Sequence, residues 1–516
     1  MCGIFIKTLT TNKDVSQCAE SLSKLQGRGP ESTRYIVDNG NIFIGFCRLP
    51  IIDLNGGDQP FVSGHNILVA NAEIFNHDYV YPNRHCTSKS DCECILRAYE
   101  SGQPISEIAS TINGDFAFVL VTKDHIIACR DRVGIRPLFY GFKDGDLAIS
   151  SEIKAFPPGF TIEHVKPSMI MTFNRENVAE YKTERYYGMH TDYYDYIPLR
   201  QKFIIECPCV NLKKLLTDSV KLRLESDRPV GCLLSGGLDS SIVALILSQQ
   251  LGAKNVRTYS IGMEGSVDLG FARKVADFLG TDHHEIVFTA EEGIKAIPEV
   301  IYALESYDIT TVRASIPMFL LGRWISKNTK DKVIFSGELS DELLCGYLYF
   351  HHAPSNLAAE DESRRLVKNV YKYDALRADR CISSHGLELR VPFADVNVIN
   401  YCMFILRGND KRPNNTIEKK ILRDAFAGEL PDEVLYRRKD GFSDGVSSIQ
   451  KPWYTYIQES VEHIIITNEI SKEAEYYKQI YNSYYNNVNY SPISEHWMPT
   501  WGIVDKTNPS GRVIVV

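Results

Sequence analysis

The run Val230-Gly231-Cys232-Leu233-Leu234-Ser235-Gly236-Gly237-Leu238-Asp239-Ser240-Ser241 constrains this chain more than any other. It passes from an apolar strand through a glycine turn into an apolar-striped helix. Gly236 and Gly237 let the backbone close tightly and present successive N–H groups. With the helix N-terminus they form a cradle for an anion. Asp239 belongs beside such an anion only if a divalent cation lies between them. A strand-to-helix turn capped by serines is the simpler alternative, and this stretch alone leaves it open.

The segments around that loop point to an open sheet. Leu212, Leu215, Leu216 and Val220 fall on one helical face. Val256–Ile261 reads as a strand, Ala272, Val275, Ala276 and Leu279 as a helix face ended by Gly280, and His284–Phe288 as another strand. Ile294, Ile297 and Ile301 mark a further helix, and Lys332–Phe335 a strand running into Ser336-Gly337-Glu338-Leu339-Ser340-Asp341-Glu342. This succession predicts an open, mostly parallel sheet with helices on both faces, whose ligands sit at the carboxyl ends of the strands. Ser235, Ile261 and Ser336 then converge on one crevice. Asp239 and Asp341 are the candidates to hold Mg²⁺ there, with Glu342 third. A helix cap followed by first-turn acids is the alternative for 336–342.

The Ser-Gly-Gly-x-Asp-Ser pattern resembles the pyrophosphate-binding loops that split ATP between its α and β phosphates. The Gly-x-x-x-x-Gly-Lys-Ser/Thr loop of γ-phosphate transfer is absent. Thr310 and Arg313 could serve a small acidic substrate, and Lys439, in Arg437–Gly445, could neutralise developing phosphate charge. A solvated basic loop is the alternative for that last segment.

The first half opens Met1-Cys2-Gly3. Removing Met1 would place a thiol, ordinarily of pKa about 8.5, and an α-amine of about 7.7 on one residue, a pairing suited to nucleophilic catalysis. Further on stand Arg28-Gly29-Pro30, Arg48-Leu49-Pro50, Asn71-Ala72-Glu73, Ser90-Asp91, Asn113-Gly114-Asp115 and Arg130–Leu138. This set resembles the glutamine amidotransferases with an N-terminal cysteine nucleophile. The resemblance implies an αββα sandwich, Arg48 on the substrate's α-carboxylate, and Asp91 with Glu73 on its α-ammonium. It also implies an oxyanion hole made by the Asn71 side chain and the Ala72 N–H. The family usually has glycine at positions 72 and 90.

An amidotransferase joined to such a loop resembles the glutamine-hydrolysing asparagine synthetases, as do Leu387–Phe393, Ser471–Tyr477 and Pro509–Arg512. That likeness implies a reaction in two stages. Aspartate would be activated as an adenylate with release of pyrophosphate, and ammonia from glutamine would travel inside the protein to displace AMP. Leu234, Ile261, Ser336 and Gly337 would contact adenosine, with Ser235, Gly236, Gly237, Asp239 and Ser240 on the phosphates. Glu338 would accept a proton during ammonia attack, and Thr310 and Arg313 would bind aspartate or the transition-state phosphate. ATP, Mg²⁺, L-glutamine and L-aspartate are the implied small molecules, and a homodimer the usual assembly. Leu339 replaces a small residue of the family, and a positive φ there would be costly for leucine. Gly441 replaces a more polar one.

The expected organisation is a glutaminase domain over 2–187, a linker over 188–210 and a synthetase domain over 211–516. A formal net charge of −8 argues against nucleic-acid binding, and no apolar run approaches the ~20 residues of a membrane helix. The 13 cysteines are scattered, with Cys92/Cys94 and Cys207/Cys209 too close for a zinc ribbon, and read as reduced thiols of a cytoplasmic enzyme. Related adenylating enzymes that close β-lactam rings or cyclise peptides characteristically lack a working N-terminal cysteine. tRNA-thiolating enzymes would need a basic surface. A non-catalytic nucleotide-binding homologue finds support only in Ala72, Ser90 and Leu339.

Overall fold

The computed structural model describes residues 1–9, 14–82, 85–188, 207–414, 416–448, 450–492, 496–502 and 505. Most of the expected linker and the Pro509–Arg512 stretch lie outside the described residues.

Two six-stranded antiparallel sheets build the first half. One runs β10 (Thr161–His164), β8 (Phe139–Lys143), β9 (Asp146–Ser150), β1 (Gly3–Thr8), β3 (Ile42–Arg48), β2 (Ser32–Asp38). The other runs β12 (Tyr181–Arg185), β11 (Met169–Asn174), β7 (His125–Arg130), β6 (Gly114–Val121), β5 (Asn66–Ile74), β4 (Phe61–Ser63). Strand periodicity explains their stacking. Ile67, Val69, Ala117, Val119 and Val121 meet Ile4, Ile6, Ile44 and Phe46 between the sheets. The alternate residues Leu68, Ala70, Phe116, Phe118 and Leu120 pack outward with α2 (Glu93–Glu100) and α3 (Ile105–Thr111). Over the other sheet, α1 (Asp14–Ser23) seats Cys18 and Leu22 against Phe5 and Phe43. This is the expected αββα sandwich, and it puts residue 2 at the entrance to a central strand.

The second half holds a five-stranded parallel sheet in the order β15 (Asp282–Val287), β14 (Arg257–Gly262), β13 (Val230–Leu233), β16 (Val333–Phe335), β17 (Glu388–Arg390). Strand order reverses between β13 and β16, which opens a crevice at their carboxyl ends. Helix α4 (Pro208–Leu222) precedes the sheet, and α5 (Leu238–Leu251) follows β13 with Ile242–Leu247 wholly buried. Helices α6 (Val267–Leu279), ended by Gly280 at φ 77°, α7 (Ala290–Leu304) and α8 (Ile309–Asn328) complete its flanks, with α9 (Asp374–Ser383) ahead of β17. No helix among the described residues is long and apolar enough to cross a membrane.

Buried charge joins the halves. Arg28 binds Glu152 of its own half at 2.9 Å and Asp379 of α9 at 2.7 Å. Glu305 accepts from the Ile153 and Lys154 backbone N–H groups and pairs with Arg380 at 2.8 Å.

Candidate active site

Strand pairing gathers the first chamber. Cys2 precedes β1, Arg48 ends β3, and Asn71, Ala72 and Glu73 occupy consecutive positions of β5. Cys2 N donates to Asn71 Oδ1 at 2.9 Å, which leaves Asn71 Nδ2 buried with no protein partner, as an oxyanion donor requires. The Leu49 N–H faces Cys2 Sγ at 3.5 Å. Arg48 is held by Asp58 at 2.8 Å and by the Asp53 carbonyl at 2.8 Å. Asp91 accepts from Ile74 N at 2.7 Å, and burial pushes its carboxyl up to about 6. Burial also raises Glu73 well above the ordinary range, Glu388 adds to it, and Arg390 at 2.8 Å opposes it.

Met1 is still present and occupies interior space. It is 2% exposed, packs in the same apolar cluster as Leu49, Ile51 and Ile135, and receives Arg28 and Arg136 at its sulfur. Its amine lies 3.5 Å from the Leu387 carbonyl. In this unprocessed chain burial pushes the Cys2 thiol up, opposed by the neighbouring amine.

The second chamber is a crevice of about 260 Å³ at the β13/β16 switch point. Leu234, Ser235, Gly237, Asp239, Ser240, Ile261, Ser336, Gly337, Glu338, Thr310, Asp341 and Lys439 all line it. Gly337 permits the two loops to touch, since a Cβ there would stand 2.8 Å from Asp239 Cβ.

Two of the expected residues stand off the crevice wall. Gly236, at φ 70°, does not line the crevice. A Cβ on it would lie 2.4 Å from Ala272 N, so its role is to press the loop against α6. Arg313 is also turned away, bound to Glu473 at 2.7 Å and stacked on Tyr454. On α8 the crevice-lining residues are Thr310, Thr311, Ala314, Met318 and Leu321, which share one side of the helix, and position 313 falls off that stripe.

Two charged residues missed in the sequence, Lys419 and Arg377, help organise the floor. Lys419 Nζ lies 2.7 Å from Asp239 Oδ2 and 2.7 Å from Asp341 Oδ1, and Lys439 reaches Asp341 Oδ2 at 2.5 Å. Burial would raise Asp341, but the two ammonium groups outweigh it and hold the carboxyl far below its usual range. Arg377 binds Glu338 at 2.8 Å. Burial lifts Glu338 above the ordinary carboxylate range, with Arg377 drawing it partly back. Glu342 sits apart from the aspartate pair, accepting from Tyr347 OH at 2.7 Å, and burial beside Asp374 raises it well above normal. Of Lys419 and Arg377, only Lys419 carried a faint sequence signal, as part of the charged Glu418-Lys419-Lys420 run.

Convergence of two carboxylates on one cationic centre beside an anion-cradling loop is a test of the Mg²⁺ expectation. Magnesium takes one or two carboxylates together with substrate phosphate oxygens, and Asp239 with Asp341 supply that donor set.

A smaller apolar cavity adjoins the crevice. Ile135, Val370, Ala375, Ala378, Leu389 and Val391 wall it, and Glu338 and Leu339 line both it and the crevice.

Comparison with known proteins agrees with this division. Residues 1–192 match the glutamine amidotransferase domain family, and residues 211–365 and 357–501 match the asparagine synthase family. Proteins named asparagine synthetase [glutamine-hydrolyzing] from Homo sapiens and Mus musculus are each 39% identical over 558 aligned residues, covering 100% of this chain and 98% of theirs. The Gallus gallus protein of that name is 38% identical over 561 residues with the same coverage. With two sheets around a leading cysteine, a parallel sheet around a glycine-serine loop, and likeness from end to end, this chain belongs to the family of glutamine-hydrolysing asparagine synthetases.

Proposed function

We propose that the chain makes L-asparagine from L-aspartate, ATP and L-glutamine in two chambers, releasing AMP, pyrophosphate and L-glutamate. In the first, Arg48 and Asp91 hold glutamine by its α-carboxylate and α-ammonium, with Glu73 beside them. Cys2, freed of Met1, attacks the side-chain amide while its own amine takes the thiol proton and passes it to the departing ammonia. Water then cleaves the thioester to release L-glutamate and restore the thiol. The Asn71 Nδ2 and Ala72 N–H stabilise the oxyanion, and preorganised donors of this kind are worth roughly 3–4 kcal/mol each.

In the second chamber the 235–240 loop and the lysines Lys419 and Lys439 receive the triphosphate. Thr310, which lines the crevice while its hydroxyl donates to Asp308 at 2.8 Å, is the candidate for the aspartate. The aspartate side-chain carboxylate attacks the α phosphorus and pyrophosphate leaves. Mg²⁺ held by Asp239 and Asp341 would supply charge neutralisation on the phosphates. Ammonia then attacks the activated carbonyl, Glu338 accepts its proton, and AMP departs.

The observation that carries this reading is the meeting of the Asp239–Lys419–Asp341 floor with the glycine-serine loop in one crevice, beside which lies a small apolar cavity of about 10 Å³. Ile135 from the glutaminase half and Leu389 from the synthetase half share its wall, and Glu338 stands at its crevice end. Neutral ammonia crosses an apolar passage without a charge penalty, whereas in water it would be protonated and lose its lone pair. A cytoplasmic homodimer belongs to the same reading.

The test is to supply aspartate, ATP, Mg²⁺ and glutamine and to measure asparagine, AMP and pyrophosphate. ADP as product would overturn it. Cys2→Ala is expected to abolish glutamine use while ammonia-dependent synthesis persists. Loss of both in a folded variant would overturn the two-chamber scheme.

A further inference from the structure

Two sulfurs outside both chambers lie within reach of one another. Cys207 Sγ and Cys209 Sγ are 3.0 Å apart at the start of α4. Of the 13 cysteines, nine are buried, and Cys207 is the exposed one among them, with Cys209 half-buried. The turn that carries them is fixed. Cys207 is the N-cap at φ −56° and ψ 135°, Pro208 fills the first helical position, and the Cys207 carbonyl accepts from Val210 N at 2.9 Å and Asn211 N at 3.2 Å. The buried Tyr401 hydroxyl donates to the Pro208 carbonyl at 3.2 Å, clamping the residue between the two thiols.

We propose that Cys207 and Cys209 form a reversible dithiol–disulfide couple on the outer face of the synthetase half. Bond formation needs the sulfurs to approach from 3.0 Å to about 2.05 Å, a side-chain adjustment of about 1 Å with the backbone already turned. Cys207 is the attacking thiol. It faces solvent, and hydrogen bonding from the Cys209 thiol and backbone N–H lowers its pKa, while the Cys209 thiol, donating that bond, is raised.

The oxidant is a low-molecular-weight disulfide, RSSR. The Cys207 thiolate attacks one of its sulfurs, forming a mixed disulfide and releasing RS⁻. Cys209, losing its proton to solvent, attacks the Cys207 sulfur, closing the intramolecular bond and releasing a second RS⁻. Two electrons pass to RSSR, and two thiol protons are taken up by solvent or by the leaving thiolates. A thiol reductant reverses both steps.

The experiment equilibrates the reduced full-length protein with buffers of varied glutathione disulfide to glutathione ratio, quenches by alkylation and maps peptides by mass. The expected result is a 207–209 peptide that loses two hydrogens and escapes alkylation in a fraction following the buffer ratio, restored by dithiothreitol. Cys209→Ser should stop at a glutathione adduct on Cys207, and Cys207→Ser should yield no internal bond. Alkylation of both cysteines at every ratio would overturn the proposal. So would an adduct in the unaltered protein that never closes, or a bond from either sulfur to a different cysteine or a second copy of the chain.

Discussion

Arg390 Nη2 donates to Glu73 Oε2 across 2.8 Å, joining residues 317 positions apart and tying the glutamine pocket to the edge strand of the synthetase sheet. The same guanidinium binds Glu388 at 2.9 Å, and the Arg390 carbonyl accepts from Ser336 N at 3.0 Å, where the crevice motif begins. Both carboxylates are buried, and this cation opposes the rise in Glu73 and is the main influence that holds Glu388 low. Arg390→Met is expected to cost about 3–5 kcal/mol in urea unfolding, because it strands buried charge rather than removing a pair. Arg390→Met with Glu73→Gln should recover part of that loss. Equal stability of the single variant and the unaltered protein would refute the assignment.

With Asp91 on the substrate ammonium as proposed, glutamine use is expected to be pH-sensitive. The Asp91 carboxyl ionises near 6 in the fold against an ordinary 3.8. Between those values the folded state holds the extra proton, so this residue's contribution to stability falls as pH rises through the window. Activity moves oppositely, because only the ionised carboxylate holds the substrate ammonium. The glutamine KM of the glutaminase reaction, measured without ATP, should climb as pH drops below about 6. Asp91→Asn should raise KM throughout and flatten that limb.

Leu339 adopts φ 75° and ψ −11° while 2% exposed. Left-handed backbone costs a non-glycine residue about 1–2 kcal/mol, and a buried leucine side chain contributes about 2–3 kcal/mol. Leu339→Ala loses the burial and keeps the strain, whereas Leu339→Gly loses the burial and relieves it. The glycine variant should therefore be the more stable of the two by about 1 kcal/mol in chemical denaturation, the reverse of their order in ordinary helices. Alanine proving the more stable would refute strain at this position.

Lys419 keeps two carboxylates together. Lys419→Met should lower asparagine synthesis at least ~100-fold with either nitrogen source, since preorganised charge at the phosphates is lost. Glutaminase activity without ATP should be unchanged. A fall confined to glutamine-dependent synthesis would place the residue's effect elsewhere.

Much of both chambers was legible because short-range pattern carries it. Asn71, Ala72 and Glu73 are consecutive on one strand, and Ser235–Ser240 and Ser336–Asp341 each follow a strand end directly, so periodicity alone aims them. The partners of Lys419 and Arg390 were not legible, because each reaches across 180 or more positions and the local pattern does not say where the side chain goes. Arg313 stands off the crevice wall for a reason that the sequence does not show. Its neighbours Thr310 and Ala314 do face the crevice, and only the helical phase, fixed by packing against Glu473, separates it from them. The fifth strand, Glu388–Arg390, went unread because three residues are too few to show alternation.

Met1 bears on when the protein comes alive. An aminopeptidase must grip a free, extended chain end, yet here the initiator residue is sealed within the finished fold. Trimming is therefore expected before the first strand docks, while the chain end is still free. Incubating folded, untrimmed protein with methionine aminopeptidase should leave the residue in place, whereas the same treatment of urea-unfolded chain should remove it.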